Sequence, residues 1–532
     1  MKQTITIMML LVANALSTFA QETYENARLA SHDLNGTARY VGMGGAMDAL
    51  GADLSTISSN PAGIGLFRSS AISGTLGFIS KQGSRNFADS KKNITSFDQA
   101  GFVYAMRTSN DCFLNFAFNY HKSKNFGQIL TAAGRLADGA SQGRLTYNKG
   151  AIGGIWGIED MKKHEISSND LGFNQMDYLY CNTILYKPLL DPVNPFVYYG
   201  AEQYDFGRSN KGYIANYDFN ISGNIHDRVY IGLTFGFKDV HYKSYCEYAE
   251  LYGENEAKLG GVLVEDHRKI SGTGVDVTAG IIVRPFDASP FRIGFSIATP
   301  TFYDLKTKNT TALLVDVSQV SHVMGYETYN GPSALDIDYR YDFKMNTPWR
   351  FALSAGHTIG QKLALGTTVE YADYSSIDTR LKDEWVDEWG YTYDNSESDN
   401  EMNHHTKKTL KGVATVKLGA EYKPIPQLAL RAGYNYVSPM YKSSGVKDGM
   451  LYSWGNRVQS STDYTNWKAT NRLTAGVGTN LGKWNLDLAY QYSRTDGDFY
   501  PYFDTLDKEN IVENKKVSEK RHQLLFTVGY RF

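Results

Sequence analysis

Two adjacent histidines in an acidic stretch come closer to a metal site than any other residues of this sequence. His404 and His405 stand within DNSESDNEMNHHTKK, so imidazole nitrogens lie beside several carboxylates. Zn²⁺ needs ligands that converge in a tetrahedral arrangement, and no spacing in this stretch imposes one. We therefore interpret the stretch as a solvated loop, and we predict neither a metal site nor a cofactor.

A glycine-rich hexapeptide is the second stretch with the composition of a ligand-binding motif. GMGGAM (42–47) has the glycine spacing of a dinucleotide fingerprint, but Met47 stands where a small residue is required, and no strand pattern precedes it. Close packing of these small residues against a wall is the favoured interpretation. No cluster of Ser, His and an acid can be singled out either, so the sequence does not predict an enzyme.

The first residues indicate that the chain leaves the cytoplasm. Lys2 precedes the apolar run ITIMMLLVANAL, and STFA supplies small residues before Gln21. This pattern predicts a signal peptide over residues 1–20 that is cleaved after Ala20. A membrane anchor is disfavoured because the run is shorter than the roughly 20 apolar residues that a spanning helix needs. The formal charge of −2 gives no sign of a nucleic-acid partner.

From about residue 69 onward, apolar and polar residues alternate with a period of two. In WNLDLAYQY, Leu488 and Tyr490 share one face, whereas Ala489 and Gln491 share the other. A soluble β-sandwich also alternates, but short links at one end and long links at the other are typical of an outer-membrane barrel. The segments between these links predict an all-β fold, a barrel of about 14 antiparallel strands over residues 69–532.

A barrel of about 14 strands has a lumen that its own side chains do not fill. Residues 21–68 precede the barrel and combine Gly and Ala with apolar residues at helical spacing, which predicts short, broken helices. Asn60, Pro61 and Ala62 end this tract, because Pro61 disfavours helix at the preceding residue and Asn60 can bond its own backbone in a turn. We predict that residues 21–68, called the hatch, plug the lumen and that these three residues lie against the wall at the periplasmic end.

The hatch resembles that of a known family. GTARYVGMGGAMDALGADLSTISSNPAGIGLF (36–67) is similar to the N-terminal hatch of the FadL-like outer-membrane transporters, the long-chain fatty acid and toluene transporter family. Members share a tract rich in Gly and Ala that ends in Asn-Pro-Ala. The strand count, LRAGYNY (430–436) and the closing strand HQLLFTVGYRF extend the resemblance. It assigns the hatch motif of the family to Asn60, Pro61 and Ala62, and it assigns no ligand-contact residue.

The resemblance implies passive uptake of hydrophobic small molecules, with long-chain fatty acids as the favoured ligand. The ligand would enter among the outer loops, shift the hatch and leave sideways through a gap in the wall. Lateral exit suits a fatty chain, which gains about 0.8 kcal/mol per CH₂ by staying out of water. The implied partners are this ligand and outer-membrane lipid, and the protein is expected to be a monomer in the outer membrane.

Three points stay open at the level of sequence. In the family, a kinked third strand makes the gap, whereas the third segment here, DCFLNFAFNY (111–120), has neither Gly nor Pro and is followed by a predicted long loop, 122–206. Pro348 predicts a bend in segment 334–358, because proline cannot donate to a sheet ladder. Haem or an aromatic hydrocarbon would suit the same architecture. An adhesin or structural barrel is the other alternative, and an apolar tunnel from the loops to the wall would distinguish these functions.

Overall fold

The computed structural model describes residues 22–153, 174–185, 197–253, 260–316, 329–330, 340–386, 392–449, 451, 453, 461–506 and 509–532. The predicted signal peptide therefore lies outside the described residues. In these ranges, no helix is both long enough and apolar enough to cross a membrane.

The wall is a closed antiparallel β-barrel of 14 strands, which confirms the predicted fold. Its elements are β1 (Ala71–Gln82), β2 (Asn93–Ser109), β3 (Cys112–Asn125), β4 (Gln128–Arg135), β5 (Ala201–Ile225), β6 (Val229–Tyr252), β7 (Gly261–Val283), β8 (Arg292–Ala298), β9 (Phe302–Asp316), β10 (Tyr329–Asn330), β11 (Arg340–Asn346), β12 (Arg350–Ile359), β13 (Leu363–Asp373), β14 (Asp378–Val386), β15 (Thr392–Ser398), β16 (Gly412–Ile425), β17 (Leu428–Val437), β18 (Tyr464–Leu481), β19 (Trp484–Tyr500) and β22 (Lys515–Arg531). Consecutive elements such as β3 and β4 share one position in the wall, and the pairing of β1 with β22 closes the barrel. A separate hairpin joins β20 (Thr505–Leu506) to β21 (Glu509–Asn510).

Alternate residues of the wall face outward and inward. In β12, Phe351 and Leu353 are exposed on the outer face, whereas Ala352 and Ser354 are buried on the lumen side. The same alternation holds in β19, where the two faces are those that the sequence predicted. Exposed aliphatic and aromatic residues therefore form a band around the barrel, and such a band is the outer face of a transmembrane barrel.

Proline interrupts one wall strand where the sequence predicted a bend. β11 ends at Asn346, Pro348 lies in the gap, and β12 begins at Arg350. The missing N–H of proline accounts for the interruption, since a ladder cannot continue through a residue that has no donor.

Short helices lie inside the barrel and in its long connections. The hatch contains α1 (Thr23–Ala30), α2 (Ala38–Gly42) and two 3₁₀ turns (Leu54–Ser58 and Pro61–Leu66). The long connections contain α3 (Gln142–Gly153), α4 (Gln175–Tyr180) with a π turn (Cys181–Leu185), and α5 (Asn400–Thr409), and another 3₁₀ turn (Tyr374–Ser376) lies between β13 and β14. The first amide of α2 donates to the hydroxyl of Thr527 on β22. The plug of short helices is thus fixed to the inner wall.

Candidate ligand cavity and its lateral seam

The hatch backbone lies directly against glycines of the wall. Gly366, Gly419 and Gly433 face the hatch backbone between Met43 and Ala46 so closely that a β-carbon on any of the three would overlap it. The small residues of GMGGAM therefore pack against a wall that is itself built from glycine at these points. This arrangement supports the packing interpretation of the hexapeptide.

Asn60, Pro61 and Ala62 lie against a second set of wall glycines. The Asn60 side chain faces Gly280 and the Pro61 carbonyl faces Gly232, and each glycine lies three residues from the short-turn end of its strand. Asn60 Oδ1 also accepts a hydrogen bond from the Ala62 amide at 3.2 Å and so caps the 3₁₀ turn that follows. The role of these three residues as a hatch motif stays a prediction.

A cavity of about 300 Å³ lies inside the barrel, between the hatch and the wall strands. Its lining is polar, with eight Lys or Arg residues against five Asp or Glu residues. Cations on the wall side include Lys122, Lys238, Arg350, Lys417 and Arg472. The lining of this cavity is therefore unlike the apolar tunnel that was expected to distinguish a transporter from an adhesive or structural barrel.

Carboxylates neutralise only some of the cavity cations. Lys238 lies 2.9 Å from Asp276, and Lys417 lies 3.4 Å from Asp48 of the hatch. In contrast, Arg472 has no carboxylate oxygen within 4.0 Å in the part of the chain that the structure describes, and its guanidinium donates instead to an amide oxygen at 2.7 Å. The surplus of positive charge in this enclosed space favours an anionic group.

Strands β2 and β3 stop pairing with each other on one side of the cavity. Their ladder ends at the pair Gln99–His121, although β2 continues alongside β1 and β3 continues alongside β5. Residues 93–98 and 122–125 therefore border a seam that no backbone ladder closes. Residues 121–126 also line the cavity, so the cavity and the seam share a border.

The third wall strand is interrupted beside this seam. β3 ends at Asn125, Phe126 and Gly127 lie outside the strands, and β4 begins at Gln128. The prediction of a loop from residue 122 is therefore wrong, because the strand continues past the segment that lacks Gly and Pro. An interruption of the third strand, which the segment 111–120 did not predict, is therefore present a few residues later.

Two hatch residues fasten both edges of the seam. The Asn35 amide donates to Asp98 Oδ1 on β2 at 3.1 Å and to the Lys122 carbonyl on β3 at 3.0 Å. The backbone N–H of Asp33 donates to the Ser123 carbonyl at 2.8 Å. Hydrogen bonds from the hatch thus connect the two edges of the seam where no ladder joins β2 to β3.

The Asp33 side chain meets several donors at the same place. One carboxylate oxygen lies 3.1 Å from Lys124 Nζ, and the other accepts from the Asn125 amide at 3.0 Å and lies 3.6 Å from Arg521 Nη1. Burial alone raises the pKa of this carboxyl, but Lys124, Arg521 and Arg472 outweigh burial and hold the pKa well below its usual range. The carboxyl is therefore ionised at neutral pH.

Helix α1 connects the beginning of the hatch to the outer connections. Thr23 Oγ1 lies 2.8 Å from His405 Nδ1 of α5, and the Tyr24 ring stacks on Tyr441 at a centroid distance of 5.0 Å. Glu25 forms a buried ion pair with Arg268 of β7. The hatch therefore spans the lumen from the wall glycines to the outer connections.

The interpretation of His404 and His405 as part of a solvated loop is wrong, because both lie in α5. Asp399 caps this helix by accepting the Met402 amide, and His405 is only 7% exposed, with Nε2 at 2.9 Å from the Val446 carbonyl. Burial lowers the pKa of His405. In the described ranges, no group of three or more His, Cys, Asp or Glu residues is arranged to hold a metal ion.

Comparison with known proteins gives no match to a protein-family model or to a curated protein. Solved structures do match. The chain is similar to a Pseudomonas aeruginosa FadL homologue at 12% identity and a TM-score of 0.48, covering 97% of this chain and 100% of that chain. It is similar to the Ralstonia pickettii toluene transporter TbuX at 12% identity and a TM-score of 0.47, covering 94% of this chain and 99% of that chain. It is also similar to the Pseudomonas putida toluene transporter TodX at 11% identity and a TM-score of 0.45, covering 94% of this chain and 99% of that chain.

At these identities and TM-scores, the similarities carry no argument about what this chain binds. The fold is shown by the closed barrel itself. Of these three structures, one is a FadL homologue and two are toluene transporters.

Proposed function

We propose that this protein is an outer-membrane transport protein for the passive uptake of hydrophobic small molecules, with long-chain fatty acids as the favoured ligand. The signal peptide, residues 1–20, directs the chain across the inner membrane and is removed. Residues 21–68 form the hatch, and residues 69–532 form the barrel. The ligand enters from the outer connections, occupies the cavity and leaves sideways into the membrane through the seam between β2 and β3.

The observation that carries this proposal is the shared border of the cavity and the seam. Residues 121–126 line the cavity, and residues 122–125 among them form the edge of β3 that has no ladder partner on β2. The hatch fastens that edge through Asn35 and Asp33, so a movement of the hatch would free it. A barrel with a purely structural or adhesive role would need neither a cavity beside the seam nor a movable closure.

The charge of the cavity supports one ligand class over another. A lining with more Lys and Arg than Asp and Glu favours a carboxylate-bearing amphipath over an uncharged aromatic hydrocarbon. Haem also carries carboxylates and therefore stays an alternative ligand of the same architecture.

Equilibrium binding would test the ligand. Radiolabelled hexadecanoate, toluene and haem would be offered to the purified protein in lipid nanodiscs, and uptake of each would be followed in cells with and without the gene. We expect hexadecanoate to bind and its uptake to fall without the gene. If none of the three binds and uptake of all three is unchanged, the adhesin or structural function replaces transport.

A cross-link would test the route. In a Cys112→Ser background, Ser96→Cys and Lys122→Cys would be joined by a short bifunctional thiol-reactive reagent such as a bis-maleimide, since Lys122 Nζ and Ser96 Oγ are 3.0 Å apart across the seam. We expect uptake to stop and ligand binding to persist. The matched control joins Tyr104→Cys to Phe116→Cys, a pair in the laddered part of the same two strands, and should leave uptake unchanged. Unchanged uptake with the seam cross-linked would place the exit elsewhere.

A further inference from the structure

The cations beside Asp33 come from strands that are far apart in the sequence but neighbours in the barrel. Arg472 of β18 and Arg521 of β22 occupy one row of the wall, because each is the ladder partner of Ser493 on the strand between them. Lys124 of β3 lies 3.1 Å from Asp33. The three cations and Asp33 all border the cavity.

Asp33 uses only part of the donor capacity of this group. Arg521 Nη1 lies 3.6 Å from Asp33, and its other terminal nitrogen donates to Gln523 at 3.3 Å, while its buried Nε has no hydrogen-bond partner in the described part of the chain. Arg472 is 91% buried and lacks a carboxylate within 4.0 Å in the described ranges. One other carboxylate in the neighbourhood, Glu519, accepts from Gln128 at 2.6 Å. The donors that remain are suited to a second anion.

Asp33 is also the hatch carboxylate that holds the edge of the seam. It accepts from the backbone of Asn125 and pairs with Lys124, two adjacent residues at the end of β3. An anion that entered the cavity and paired with Lys124 and Arg521 would compete with Asp33 for the same cations. Loss of these contacts would weaken the hold of the hatch on β3.

We propose that Lys124, Arg472 and Arg521 form a binding site for the anionic head group of an amphipathic ligand, and that the head group displaces Asp33 and so releases the hatch from the seam. This inference rests on the proposed transport function and adds the requirement that the ligand be anionic. A ligand must carry a negative charge to open its own exit, whereas an uncharged molecule of the same length leaves the seam closed.

Binding of decanoate and decanol to the protein in nanodiscs would test the site. The two probes have the same chain length and differ in charge. We expect decanoate to bind at least about tenfold more tightly than decanol, and Arg472→Gln or Arg521→Gln to weaken decanoate by about tenfold or more while changing decanol by less than about twofold, because a charge-assisted hydrogen bond is lost. Arg494→Gln is the matched control, since this exposed arginine follows Ser493 on β19 and pairs with Asp496 outside the cavity.

Hydrogen exchange would test the release. Decanoate should accelerate amide exchange in residues 31–36 and 122–126, and decanol should not. Asp33→Asn should show the faster exchange with no ligand present. Because this variant could fold poorly, Arg521→Gln gives an independent result: it should lose the response to decanoate while its exchange elsewhere in the barrel stays that of the unmodified protein.

The outcomes separate this inference from the transport function. Equal binding of decanoate and decanol, or unchanged decanoate binding in both arginine variants, would overturn the anion site while uptake through the seam could still stand. Tight decanoate binding without faster exchange in residues 122–126 would overturn the displacement of Asp33. If neither probe binds, and uptake of hexadecanoate, toluene and haem is unchanged in cells without the gene, the transport function itself fails.

Discussion

Asp33 of the hatch lies 3.1 Å from Lys124 of the third wall strand, across 91 positions of sequence. Each side chain keeps a little under a fifth of its surface exposed. An ion pair in this setting lies between a surface pair, worth about 0–1 kcal/mol, and a buried pair, whose disruption costs about 3–5 kcal/mol. The contact therefore contributes to the attachment of the hatch, and its energy is small enough for a competing anion to offset.

Removal of most of the hatch should open the barrel to ions. Deletion of residues 25–60 takes away the segment that packs on the wall glycines and leaves a lumen that about 14 strands do not fill by themselves. We expect a clear rise in conductance for small ions in a planar bilayer. Conductance equal to that of the full chain would mean that another part of the protein seals the lumen.

A side chain at Gly366 should destabilise the barrel or displace the hatch. A β-carbon there overlaps the carbonyl oxygen of Ala46, whereas the nearest atom to a β-carbon at Gly74 is 3.9 Å away. Overpacking of this kind costs about 1–3 kcal/mol, so Gly366→Ala should lower the melting temperature. Gly74→Ala, the matched control, should not. Equal melting of the two variants would contradict the close contact between the hatch and the wall.

Neutralisation of Glu421 should weaken the attachment of the hatch to β16 and β17. Glu421 accepts from Arg39 of the hatch at 3.1 Å and from Arg431 at 2.7 Å. Glu421→Gln removes the carboxylate that pairs with Arg39 but leaves Arg431 paired with Asp487 at 2.6 Å, so the cost should lie between about 1 kcal/mol and the roughly 3–5 kcal/mol of a fully disrupted buried pair. Asp496→Asn disrupts an exposed pair with Arg494 and should cost less than about 1 kcal/mol. Thermal unfolding would compare the two variants, and we expect Glu421→Gln to lower the melting temperature more than Asp496→Asn does. Equal melting temperatures would contradict the prediction.

The contact between α1 and α5 should weaken at acidic pH. Because burial lowers the pKa of His405 below the ordinary histidine value of about 6.5, the unfolded chain binds more protons at this site than the folded chain as pH falls through that region. The stabilising contribution is therefore full above about pH 6.5 and declines below it. We expect a smaller loss of melting temperature between pH 7.5 and pH 5 in His405→Gln than in the unmodified protein. An identical loss in both would show that His405 does not titrate in this way.

Alternation along each strand made the barrel predictable. The faces of β19 could be assigned from Leu488 and Ala489 alone, because successive side chains of a strand point to opposite sides whatever the rest of the chain does. The interruption at Pro348 was predictable for a similarly local reason. These features depend on the backbone and on nearest neighbours, so a short stretch of sequence contains all the information they need.

The outer connections were harder to predict. The stretch around His404 and His405 is polar and contains no clear apolar periodicity, so it was interpreted as a loop, yet it forms α5. Its stability comes from an aspartate cap at Asp399 and from contact with Thr23 of the hatch. The cap is local, but the partner is nearly 400 positions away in the sequence and becomes a neighbour only when the hatch enters the lumen.

Local sequence accordingly determines the strands, the small-residue tract of the hatch and the turn at Asn60. The cation site is decided only by closure of the barrel, which places Arg472 and Arg521 on either side of Ser493 and brings Lys124 to the same hatch carboxylate. The seam likewise depends on where the ladder between β2 and β3 stops, and no residue type marks that point. Strand formation follows from side-chain alternation, whereas the meeting of distant charges follows from the shear and closure of the whole sheet.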